Sequence, residues 1–165
     1  MELVTYSDAD LALTEALECD PEMMRELGGP VSREDALKAH RRRVENIAKD
    51  PWWFKIIPEP GGEPAGTLGI WESEWRGSAI HEVGWMVLPA FQGRGIATAA
   101  LGLLLSRARA EPRFDRVHAF PGVSNAPSNA LCRRFGFRHV DVTEVEFRGR
   151  PLKVNHWECD LGRTD

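Results

Sequence analysis

Three cysteines occur in 165 residues, Cys19, Cys132 and Cys159. They are odd in number, far apart and never in a C-x-x-C pair. That pattern excludes a disulfide framework and a structural zinc site, and no metal is expected. Reduced thiols in a cytoplasmic protein are the simple expectation. Basic residues are in slight deficit, with 21 Lys and Arg against 25 Asp and Glu and a formal net charge of −4. A general nucleic-acid binder would carry the opposite balance, although Arg94, Arg107, Arg109, Arg113 and Arg116 form a local basic group. No apolar run reaches the length needed to cross a bilayer. The N-terminal "MELVTYSDAD" lacks the basic and apolar regions of a signal peptide. A soluble, intracellular chain without nucleic-acid or membrane partners is therefore expected.

What is present fits one domain over residues 1–165. A chain of this length buries roughly two-thirds of its unfolded surface and folds without staples. Leu3–Tyr6 reads as a strand, and Ser7 or Asp8 as the cap of a helix to about Glu18. Ser32, followed by Glu34 and Asp35, caps a charged helix to about Lys49. Residues 51–57 and 66–75 read as a hairpin across "PEPGGEPAG". Residues 79–88 form the next strand. Ile96, Ala99, Ala100, Leu103 and Leu104 then mark one face of a helix over 94–110. Residues 116–120 are a strand, and strand 79–88, helix and strand 116–120 form a right-handed crossover with the two strands parallel. A short helix capped by Ser124 or Asn125 ends at Gly136. Residues 137–147 and 152–161 alternate as the last two strands. The order β-α-α-β-β-β-α-β-α-β-β is that of a mixed α/β or α+β domain around one sheet.

The segment "VLPAFQGRGIATAALGLLLSRA" spends Gly93 and Gly95 at a helix start, where glycine costs roughly 0.5–1 kcal/mol against alanine. A helix N-terminus with flexible glycines and a nearby Arg94 suits an anion. A tight loop after Pro89 is the plainer alternative. A dinucleotide fingerprint fails, because Thr98 stands at its third glycine and Asp115 precedes the next strand instead of ending it. A P-loop fails because no G-x-x-x-x-G-K-[ST] occurs.

The strand, "VLPAFQGRGIA" and the helix together resemble the signature [Q/R]-x-x-G-x-[G/A] of the GNAT family of acetyl-CoA-dependent N-acetyltransferases, at Gln92, Gly95 and Ala97. "SNAPSNALCRRFGF" resembles the family's second signature, and the element order agrees along essentially the whole chain. The pair of segments looks most like the branch containing ribosomal-protein alanine acetyltransferases. The resemblance implies a GNAT-like fold: a mostly antiparallel mixed sheet of six to seven strands, about four flanking helices and one splayed parallel pair. It also implies acetyl-CoA as co-substrate and a small-molecule or peptide amine as acceptor. Dimers are common in the family.

Residue by residue, the resemblance assigns the CoA pyrophosphate to the backbone of Gln92, Gly93, Arg94, Gly95, Ile96 and Ala97, with Thr98 close by. The pantetheine arm would pair with the backbone of Met86, Val87 and Leu88, in the slot opened by the splay. Asn125 would bond the pantetheine from the other side, unless it serves only as a helix cap. Ser128, Arg133 and Arg134 are further cofactor candidates.

Transfer to an amine needs a base, and Glu82 is the candidate, on the strand leading to that slot. The plain alternative is an exposed glutamate in a salt bridge. Gly84 beside it would leave room for a substrate or a water. His81 and His118 are weaker candidates. Many relatives place a tyrosine seven residues after the Asn; here that position is Cys132, which either donates a proton to the leaving thiolate or only packs. The single tyrosine, Tyr6, lies in the first strand. Trp52, Trp53, Trp71, Trp75, Trp85 and Phe120 are candidate linings of the acceptor pocket, and Glu72 and Glu74 candidate attractors of a cationic amine. A non-catalytic CoA-binding module is the alternative function.

Overall fold

The computed structural model describes residues 1–162. Its strands are β1 (Glu2–Thr5), β2 (Trp53–Ile57), β3 (Gly66–Trp75), β4 (Ser78–Val87), β5 (Arg116–Ala119), β6 (Arg138–Phe147) and β7 (Arg150–Asp160). The helices are α1 (Leu11–Glu18), α2 (Arg33–Ile47), α3 (Ile96–Arg109) and α4 (Ala126–Arg134). The strands form one sheet in the order β1-β2-β3-β4-β5-β7-β6. Pairs β1–β2, β2–β3, β5–β7 and β6–β7 are antiparallel, whereas β4 and β5 are parallel with Glu82 opposite His118. The mixed α/β fold and the parallel pair flanking α3 agree with the sequence reading. Among the described residues, no helix is long and apolar enough to cross a membrane.

The chain divides into two compact units. The first comprises Met1–Arg25, Gly29–Gly69 and Trp85–Leu101; the second comprises Glu26–Gly28, Ile70–Gly84 and the chain from Gly102 onward.

In the first unit, α1 and α2 are held to β1 and β2 by buried polar groups. The Tyr6 hydroxyl, 1 % exposed, bonds the Asp10 carbonyl, the Thr14 hydroxyl and, at 2.6 Å, His40 Nδ1. Arg43 donates to Thr14 and Glu18, and Lys55 pairs with Asp10 at 2.7 Å. Each buried charge thus has its partner, without which burial would be costly. The lone tyrosine is a structural hub. Ser32 caps α2 by accepting from the Asp35 N–H at 3.1 Å, as its position before an acidic first turn predicts.

In the second unit, Asn125 caps α4 by accepting from the Ser128 N–H at 3.2 Å. The helix ends in a Schellman motif. Phe137 N–H reaches the Cys132 carbonyl and Gly136 N–H the Arg133 carbonyl, with Gly136 at φ 74°. Leu104, Leu105, Val117, Cys132, Phe137 and Trp157 are among its buried apolar residues. Strand β6 carries an irregularity between His139 and Asp141.

Candidate active site

The turn from Gln92 to Ile96 lies in the first unit. Helix α3 begins at Ile96 and not at 94, because Gly93 and Gly95 take φ values of 70° and 75° that end any regular helix there. A Cβ at either glycine would meet nothing within 4 Å. Positive φ, not crowding, therefore requires glycine, and the space in front of the turn is open. Gln92, Gly93, Arg94 and Gly95 are exposed. Ile96, Ala97 and Thr98 open the helix, where N–H groups have no intrahelical partner.

Gln92 Nε2 donates to the Val87 carbonyl at 2.9 Å, which ties the signature glutamine back to the end of β4. Leu88 N–H donates to the Ala65 carbonyl at 2.8 Å. Two of the backbone groups assigned to the cofactor arm at Met86, Val87 and Leu88 thus already have protein partners. The Arg94 guanidinium lies 5.6 Å from the Phe91 ring.

The remaining cofactor candidates lie on α4 in the second unit. Ser128 is half-buried, and Arg133 and Arg134 are exposed. Arg133 stands 5.5 Å over the Trp157 ring. Asn125 Oδ1 makes the cap, so the cap reading of this residue holds in the structure. Its neighbour one turn on, Asn129, went unnoticed in the sequence. Asn129 is 2 % exposed. Its Nδ2 donates to the Gly122 and Asn125 carbonyls, and its Oδ1 accepts from Asn155 Nδ2 and Trp157 Nε1 at 2.8 and 2.9 Å. It welds the start of α4 to β7. The only local signal is the repeated Asn in "SNAPSNAL". Cys132 is fully buried, and burial pushes its thiol up to about 12.

Glu82 borders a cavity of about 380 Å³ in the second unit, lined by Ser73, Glu74, Trp75, Phe120 and residues 144–147. Burial raises the Glu82 carboxyl above its ordinary range, opposed by hydrogen bonds from the Ser73 hydroxyl and the Trp71 indole. Those two donors are functional neighbours that sequence reasoning did not find. Gly84 does not open space for a substrate or a water, as its place beside Glu82 had suggested. A Cβ at 84 would lie 2.7 Å from Trp71 Cη2, so the glycine makes room for the indole that bonds Glu82, not for substrate or water.

Strand alternation sorts the lining. Trp71, Ser73 and Trp75 on β3, and Val145 and Phe147 on β6, are half-buried; Glu72, Glu74, Glu144 and Glu146 between them are exposed. The acidic residues therefore edge the cavity, and Glu82 is its half-buried carboxylate. Of the six candidate aromatic linings, Trp75 and Phe120 border the cavity, and Phe147 joins them. Trp53 instead lies 4.8 Å beneath the Arg43 guanidinium.

The aromatic wall is braced from behind. Trp75 and Phe120 are 4.9 Å apart, and His156 stacks on Phe120 at 4.8 Å and 15°. His118 Nδ1 and His156 Nε2 are 2.9 Å apart, and His156 Nδ1 is 3.6 Å from Asp141. Burial lowers the pKa of both imidazoles; His156 lowers that of His118 further, whereas Asp141 and Glu158 oppose the shift at His156. His118, His156 and Glu158 bring ligand atoms within 4.8 Å of one another. Glu158, however, is already paired with Arg116 and Arg138. The two imidazoles are within hydrogen-bond distance, one ring N–H donating to the other ring's nitrogen. His81 packs edge-on against Phe114 at 4.8 Å.

A parallel strand pair joined by a helix that follows a glycine-rich, positive-φ turn, with an Asn-capped helix after the second strand in the chain, defines an acetyltransferase-type α/β fold. The acetyltransferase (GNAT) domain profile matches residues 1–138, and the chain belongs to the GNAT acetyltransferase family. No curated relative matches its sequence. Among solved structures, a GNAT-family acetyltransferase from Bacillus anthracis superposes with a TM-score of 0.77 at 16% identity, covering 96% of this chain and 93% of that one. The ribosomal-protein-alanine N-acetyltransferase from Brucella melitensis gives 0.75 at 22% identity over 97% and 99%. The spermidine N-acetyltransferase from Vibrio cholerae, solved with CoA and spermine, gives 0.76 at 17% identity over 97% and 95%. At these identities the likeness is one of fold.

Proposed function

We propose that the protein is an N-acetyltransferase that moves the acetyl group of acetyl-CoA to a primary amine, with Glu82 as the general base. The observation that carries the reading is a carboxylate made more basic by burial, held by two donors and bordering a cavity of small-molecule size. The open, positive-φ turn at the start of α3 suits a pyrophosphate, bound through the N–H groups of residues 93–98 and favoured by the helix dipole.

Acetyl-CoA supplies an activated acetyl group: the amine nitrogen forms the new C–N bond, the C–S bond breaks, and sulfur leaves with the electron pair. The protein's part is the proton. A lysine-like ammonium costs roughly 4–5 kcal/mol to deprotonate at pH 7, an α-ammonium only about 1. A raised Glu82 accepts that proton more readily than an ordinary carboxylate, while Ser73 and Trp71 keep it aimed. Cys132 is a poor donor to the departing sulfur. A thiol near 12 holds its proton far more tightly than an ordinary thiol near 8.5, and the group is fully buried. Solvent, or the proton collected by Glu82, serves instead.

Thiol release measured against an amine panel, with calorimetry of acetyl-CoA, tests the reading. Glu82→Gln should cut turnover by about a hundredfold or more while leaving acetyl-CoA affinity within twofold. The wild-type rate should fall as pH drops through the raised Glu82 pKa, and the variant should lack that limb. Stability carries the opposite sign. A carboxylate disfavoured by burial stabilises the fold only while protonated, and that contribution is lost as pH rises through its folded pKa. Glu82→Gln should therefore melt higher than wild type at pH 8, with the difference shrinking toward pH 4. Acetyl-CoA binding without acetylation of any amine would favour the non-catalytic module, which the missing tyrosine at position 132 motivates.

A further inference from the structure

We infer that the acceptor is a primary monoamine carried on an aromatic body, of the arylalkylamine kind, and not a polyamine; the inference deepens the N-acetyltransferase reading and rests on it. The cavity beside Glu82 is at the small end of ligand pockets, about 380 Å³. Three aromatic side chains, Trp75, Phe120 and Phe147, border it, as does Val145.

Two of these rings are fixed in advance. Trp75 lies 4.9 Å from Phe120 and 5.3 Å from His156, and His156 stacks on Phe120. His156 is in turn held by His118 at 2.9 Å. Such a wall is preorganised for a flat ring, with offset or edge contacts at the spacings aromatic pairs prefer.

The charge pattern completes the fit. One ammonium finds Glu82. A second ammonium further along the substrate would find only Glu74, Glu144 and Glu146, which strand alternation turns to the exposed side. Exposed ion pairs contribute little. Seating a second ammonium against the aromatic wall instead would strip part of its water for cation–π contact and for carboxylates that stand on the exposed edge of the cavity. A ring in that place gains apolar burial.

The test compares 2-phenylethylamine, spermidine and an alanine-led tripeptide in the thiol-release assay with acetyl-CoA. Calorimetry of each amine on the CoA-saturated protein runs beside it. Phenylethylamine should have the highest kcat/KM by about tenfold or more, the gain expected from burying one ring. Phe120→Ala and, because that variant can disturb the braced wall, Phe147→Ala should each remove most of this preference. In both variants the ratio of phenylethylamine to tripeptide kcat/KM should fall about tenfold, whatever the change in absolute rate. Spermidine or tripeptide rates equal to or above phenylethylamine, or equal losses for all three amines in both variants, overturn the inference. If no amine is acetylated, the enzymatic reading falls on its own. The calorimetric order then decides the ligand class: phenylethylamine tighter than spermidine sustains it, and the reverse order overturns it.

Discussion

Replacing Gly84 by alanine tests the link between packing and chemistry at Glu82. The new Cβ would stand 2.7 Å from Trp71 Cη2 and 3.3 Å from Cζ3. Carbon atoms in ordinary contact sit about 3.5–4.0 Å apart, so the indole must retreat by roughly 1 Å. The ring is tethered by its bond to Glu82, and retreat stretches or breaks that bond. Overpacking of this kind costs about 1–3 kcal/mol. In a chain of this size that lowers the melting temperature by roughly 2–12 °C. Loss of the Trp71 donor removes one of the two bonds favouring the carboxylate, so the already raised Glu82 pKa climbs further. The acidic limb of kcat/KM should move to higher pH, with acetyl-CoA affinity unchanged. Trp71→Phe, which deletes the N–H and shortens the ring, should reproduce the limb shift. Combined with Gly84→Ala it should recover part of the lost melting temperature. An unchanged limb in both single variants would refute the tie between Trp71 and the Glu82 proton.

Four further outcomes are expected. Gly95→Ala forces alanine to φ 75° at a cost of about 1–2 kcal/mol and should weaken CoA binding at least tenfold by calorimetry. Gly61→Ala, at φ 73° and equally open, should cost similar stability with CoA affinity intact. Asn129→Ala leaves the buried Trp157 N–H without its acceptor and removes three other bonds, so chemical denaturation should show a loss of about 3 kcal/mol or more. Cys132→Ala should cost about 1 kcal/mol of packing and leave turnover within twofold; a hundredfold loss would reinstate the thiol as the acid.

The fold was legible where the signal was local. Ser32 before two acidic residues, the apolar face of α3 and Gly136 after α4 each state their structure within a few positions, and each appears as read. The start of α3 was misplaced by two residues, because helix periodicity does not reveal that Gly93 and Gly95 adopt left-handed φ. The candidate base was legible from its place on a strand; its surroundings were not. Trp71 and Ser73 reach Glu82 from the neighbouring strand, and Phe147 joins the cavity from the β6–β7 hairpin, contacts set by register. Glu72 and Glu74 were read as candidate attractors of a cation; alternation of β3 leaves both exposed, and Glu74 borders the cavity while Glu72 is not in its lining. The polar knot around Tyr6 draws on β1, α1, α2 and the turn between them, a conjunction no short window contains.

The position of Trp75 makes the cavity observable by light. The chain holds six tryptophans and a single tyrosine, so its emission is almost wholly indole. Trp75 lines the cavity, touches Phe120 and lies 5.3 Å from the His156 ring. An imidazolium quenches a neighbouring indole more strongly than a neutral imidazole does. Acid that charges His156 would therefore dim this residue, and a ring stacked beside it would shift its band. Because His139 also lies 4.9 Å from the Trp157 ring, the difference in emission between the native chain and Trp75→Phe follows the occupancy of the cavity and the proton state of its backing wall without a label.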